Sequence, residues 1–164
     1  MPKKIKKFLP ASQAPAERLK KVDSLLDAMQ EGNEFGSIVS LMPTNSDLVP
    51  EIRRAIREIE NIRERPLICY CANVVRPVQD NSIQSSDDLP FNEMVSKVDL
   101  SKDSVDVMVV TPGGAGQQVS QFVNCLRARF TMAVDFILPY MCMSAGTLWV
   151  LSGDKIWMDS RAYI

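Results

Sequence analysis

The sequence predicts an α/β fold of βα units, preceded by an N-terminal helical segment, on three observations. Two short apolar runs rich in β-branched residues, 107–110 and 134–138, each stop at a tight turn. Between them Val119, Phe122, Val123, Leu126 and Phe130 recur at helical spacing, separated by Gln118, Gln121, Asn124 and Arg127. Ahead of both, residues 14–31 and 47–65 carry apolar stripes of the same period.

In chain order, residues 1–13 read as a flexible basic arm, with Lys3, Lys4, Lys6 and Lys7 interrupted by Pro2 and Pro10. No apolar run follows, as a signal peptide would need. The helix of 14–31 has Pro15 in its first turn and Leu19, Val22, Leu25, Leu26 and Met29 on one side. The helix of 47–65 turns Leu48, Ile52, Ala55, Ile56, Ile59 and Ile62 inward and many Arg and Glu outward. Together 14–65 is expected to form a helical hairpin, its stripes covered by each other, by the sheet or by another subunit. Pro66 ends the second helix, and 67–75 is expected to be the first strand of an α/β domain spanning 66–164. The polar segment 76–90 reads as a loop and 91–98 as a short helix. After the central βα units, Gly153 and Asp154 form a turn and 155–158 a last strand.

Composition excludes several classes. With 164 residues, 46% of them hydrophobic, one domain with a sizeable core is expected. A net charge of −1 gives no electrostatic basis for binding nucleic acid. No stretch is long enough to cross a bilayer, so no membrane partner is expected. Cys69, Cys71, Cys125 and Cys142 lack zinc-ligand spacing, and there is no histidine to complete a site, so no metal and no cofactor are expected. All four read as reduced thiols, which points to the cytoplasm.

The chemistry concentrates at two turns. Thr111-Pro112-Gly113-Gly114 and Met143-Ser144-Ala145-Gly146-Thr147 lie at the carboxyl ends of neighbouring predicted strands, where α/β sheets place their sites. Ser144 is the nucleophile candidate, flanked by small or flexible residues and followed by the free N–H groups of a helix start. Gly113 and Gly114 offer further N–H groups toward an oxyanion. From spacing alone, Ser144 reads more readily as a helix N-cap and the glycines as an ordinary βα turn than as a catalytic site. Cys142, two residues before Ser144, has no identifiable base and reads as a buried thiol.

These two motifs, with Pro139-Tyr140-Met141-Cys142 leading into the second and Leu151-Ser152-Gly153-Asp154-Lys155-Ile156-Trp157-Met158-Asp159 following it, resemble the serine dehydrogenase proteinase family. That family belongs to the clan of the Clp protease proteolytic subunit and signal peptide peptidase A, whose fold is shared with the crotonases. The resemblance covers about 66–164. It implies that Ser144 is the nucleophile of a peptidase and that the backbone N–H groups of Gly114 and Ala145 form the oxyanion hole. It also implies a peptide or protein substrate and a homo-oligomer. The clan's general base, histidine or lysine, follows the segment matching 154–164, so the α/β domain is expected to be C-terminally incomplete and the base to lie outside these residues. Lys155 reads as a solvated strand-edge lysine rather than a base. On this basis the 164-residue chain alone is expected to be nearly inactive. Two other functions fit: a non-catalytic oligomerising scaffold that keeps the fold, and a crotonase-type acyl-thioester enzyme, which does not need Ser144.

Overall fold

The computed structural model describes residues 45–75 and 81–164; the predicted arm of 1–13 and helix of 14–31 lie outside the described residues. The chain divides into two compact units, Met1–Arg57 and Glu58–Ile164. Of the first, the described part is the start of helix α1 (Asn45–Arg63). This helix ends where Glu64 takes a left-handed φ of 56° and Pro66 follows, two features that prevent continuation.

The second unit is built on a four-stranded parallel sheet, in the order β1 (Leu67–Cys71), β2 (Ser104–Val110), β3 (Ala133–Leu138), β4 (Lys155–Met158). The crossovers carry a single 3-10 turn (Ser85–Asp87) with α2 (Asp88–Ser96), then α3 (Gly116–Arg129), then α4 (Ala145–Val150). When strands follow one another in sequence order, crossovers of one hand place every helix on the same face. The register agrees. Val107 lies opposite Ile68 and Phe136, so Ile68, Val107 and Phe136 share the helix-covered face, and all three are buried. Trp149 of α4 is the centre of the core on that face, with ring centroids 4.9 Å from Phe122, 5.3 Å from Tyr70, 5.4 Å from Phe91 and 5.9 Å from Phe136. These contacts fix α4, and with it the turn that precedes it, against the sheet.

The opposite face carries charge. Asp106 and Asp135 are register partners on β2 and β3, and both are buried. Arg63 Nε donates to Asp106 Oδ2 at 2.6 Å, and Arg65 Nη1 lies 2.9 Å from Asp135 Oδ2. The Arg63 guanidinium also stacks 4.4 Å above the Trp157 ring. The last turn of α1 is therefore tied to the sheet by ion pairs. Ile62, expected to face inward, is 82% exposed, because the side chains that reach the sheet here are Glu60, whose Oε1 accepts the Leu67 N–H at 2.9 Å, and Arg63.

Two element boundaries differ from expectation. Strand β1 stops at Cys71 rather than continuing to residue 75: Ala72 N–H makes the last rung to Val110 O, and the Asn73 side chain then turns the chain by accepting the Val75 N–H at 3.3 Å. The helix expected over 91–98 begins at Asp88, with Pro90 inside its first turn, where the missing N–H costs nothing. The polar stretch before it is not all loop either, since Ile83 is buried and bridges to Gly114. Among the described residues no helix is long and apolar enough to cross a membrane.

Candidate functional site

The two turns singled out by sequence meet at the carboxyl end of the sheet. Beyond β2, Thr111 pairs with Cys142: its N–H donates to Met141 O at 3.0 Å and its carbonyl accepts the Met143 N–H at 3.1 Å. On its other side the 141–142 segment is held by Tyr163, whose carbonyl accepts the Cys142 N–H at 2.9 Å. The chain leading to Ser144 is thus clamped from both sides.

Ser144 itself has φ 55° and ψ −122°, a conformation that residues bearing a Cβ rarely adopt. It precedes α4, yet its side chain makes no capping hydrogen bond, and the residue is exposed. A sharp strand-to-helix turn of this kind lifts the side chain out of the backbone. Opposite it, Gly113 has φ 104°, and a Cβ there would fall 2.6 Å from Met143 O, 2.6 Å from Ser144 Cβ and 3.2 Å from Ser144 Oγ. Only glycine allows the two turns to approach this closely.

Gly114, with φ 146°, is bridged to Ile83, whose N–H donates to Gly113 O and whose carbonyl accepts the Ala115 N–H, both at 2.8 Å. In a parallel bridge the central residue directs its own N–H away from its partner. Gly114 N–H accordingly points away from Ile83. Ala145 N–H is the first donor of α4, with no carbonyl one turn earlier to receive it. Among the described residues neither N–H has an acceptor. The arrangement therefore places an exposed hydroxyl beside a glycine turn, with two unused backbone donors on the two turns.

No side chain among the described residues accepts a proton from the Ser144 hydroxyl. Lys155 is exposed and pairs in register with Asp135, three residues before the Leu138 level, about 10 Å down the strand from the carboxyl end. Cys142 is fully buried, and burial pushes its thiol up to about 12, which leaves no thiolate to compete as nucleophile. All four cysteines are unpaired thiols. Among the described residues no group of three or more potential ligands could hold a metal.

A cavity of about 350 Å³ with a mixed polar and apolar lining lies beside the same end of the sheet, bordered by Tyr70, Cys71, Ala72, Asn73, Asn81 and Asp87 among others. Tyr70 donates to Asp87 Oδ2 at 2.8 Å; burial, and then this bond, push the phenol well above its usual range. Sequence reasoning missed Ile83 and gave Thr111 no role beyond its place in the first motif, though both hold the two turns. The only local sign of Ile83 was one apolar residue in a polar stretch.

The chain matches no protein-family profile. Over 60 residues it is 37% identical to an uncharacterized protein from Methanocaldococcus jannaschii, a stretch that makes up 37% of this chain and 21% of that protein. The chain thus spans about a fifth of the length of the curated relative it matches.

Proposed function

We propose that the protein is a serine peptidase of the Clp-like clan, with Ser144 as nucleophile and the N–H groups of Gly114 and Ala145 as oxyanion hole. The observation that carries this reading is the strained, uncapped, exposed conformation of Ser144 against Gly113. In the reaction, Ser144 Oγ adds to the peptide carbonyl carbon as a base removes its proton. The two N–H groups hold the oxyanion, the C–N bond breaks, and the amine leaves with the proton. Water then hydrolyses the ester. The base comes from outside these 164 residues, and the working form is a homo-oligomer acting on peptides or proteins in the cytoplasm.

A second reading, a scaffold that keeps the fold without catalysis, is favoured by the absence of any proton acceptor for the Ser144 hydroxyl among the described residues. A fluorophosphonate probe separates the two. Applied to the protein in its native assembly, it should label Ser144 and abolish peptide hydrolysis, and Ser144→Ala should remove both labelling and turnover. Turnover that survives Ser144→Ala overturns the peptidase reading, and an intact assembly with no labelling supports the scaffold.

A further inference from the structure

We infer that Thr111 is the positioning residue that sets the two halves of this site relative to each other. Its side chain is wholly buried at the end of β2. Three of its groups each touch a residue next to one of the proposed working groups. The hydroxyl Oγ1 accepts the Gly113 N–H at 3.1 Å, immediately before Gly114. The backbone carbonyl accepts the Met143 N–H at 3.1 Å, immediately before Ser144. The methyl Cγ2 lies 2.5 Å from where a Cβ on Gly146 would be, immediately after Ala145.

The hydroxyl is the part that a different side chain could remove without changing shape. By taking up the Gly113 N–H it settles the one amide of the Pro-Gly-Gly turn that points inward. Gly114 is bridged to Ile83 on its other side and is left with its N–H directed away from Ile83. Without that acceptor a buried donor is orphaned, and a turn of two glycines, free to reach many conformations, rotates to satisfy it. The Gly114 N–H then leaves its place relative to Ser144 while the fold around it persists. Thr111 touches no substrate; it acts through Gly113 and Met143.

The catalytic part of this inference rests on the peptidase reading, but the hold on the turn does not, and the two are tested apart. Amide hydrogen exchange on the 164-residue chain reads the hold. Thr111→Ser keeps the hydroxyl and should leave the Gly113 amide as protected as in the parent, whereas Thr111→Val should exchange it about tenfold faster at similar melting temperature. Thr111→Ala, which also lacks the hydroxyl, replaces the valine chain if that one does not fold. Fluorophosphonate labelling of Ser144 in the native assembly reads the catalytic consequence: about 100-fold slower in Thr111→Val, restored in Thr111→Ser. A Gly113 amide equally protected in Thr111→Val overturns the inference. If the parent Ser144 does not label, the peptidase reading falls, and the exchange comparison still upholds or overturns the hold of Thr111 on the turn.

Discussion

At Ser144 the Cβ sits in a backbone conformation that costs about 1–3 kcal/mol. The cost is borne because hydrogen bonds on either side of the residue fix the path: Met143 N–H to Thr111 O, and Gly146 N–H to Met143 O at 2.9 Å. A glycine at this position would relax the strain. Ser144→Gly should therefore be neutral or stabilising by about 1 kcal/mol in urea unfolding, although glycine usually destabilises, and Ser144→Ala should show no such gain. A glycine variant less stable than the alanine variant would remove the case for strain. The two turns that carry Gly114, Ser144 and Ala145 were legible in the sequence, because glycine clusters at the ends of apolar runs mark turns; the roles proposed for these three residues rest on the family resemblance. The role inferred for Thr111 was not legible, because its carbonyl and methyl meet Met143 and Gly146, which only the fold brings to it.

Among the elements, α4 is the one whose existence depends most on packing. At six residues it is far too short to be stable alone. Trp149 supplies the anchor through its four aromatic neighbours. Trp149→Ala should cost about 3–5 kcal/mol and loosen the Ser144 turn along with the helix. Trp149→Phe should cost less than half of that, since the indole N–H is buried without a partner and its removal leaves nothing unpaired. Equal losses for the two variants in denaturant unfolding would contradict the role of the ring stack. The sequence showed α3 plainly, with its long stripe at helical period. It misplaced the start of α2, because Pro90 looks like a breaker until its position in the first turn is known.

On the scale of the whole second unit, the face away from the helices is held by a buried charge cluster. Removing Arg63 takes from buried Asp106 its hydrogen-bonded cation and leaves it only Arg65, whose Nη1 lies 3.7 Å away. Arg63→Met should cost about 3 kcal/mol, and Asp106→Asn should cost less in the Arg63→Met background than alone. Additive losses in a double-mutant cycle would show that the pair contributes nothing as a unit. Asp106 and Asp135 lie among apolar neighbours in the sequence but are not singled out by it. The partner was not legible, since Arg63 lies 43 residues from Asp106 and shares α1 with Arg53, Arg54 and Arg57.

The sequence by itself determined the alternation of strands and helices and the two turns at which chemistry is proposed, because periodicity, β-branching and glycine act over a few neighbouring residues. Tertiary structure alone decided that Gly113 abuts Ser144, that Ile83 and Thr111 hold the turns, and that Lys155 lies at the far end of its strand. Those facts arise from strand register and from contacts between residues distant in the chain, to which local propensity contributes nothing.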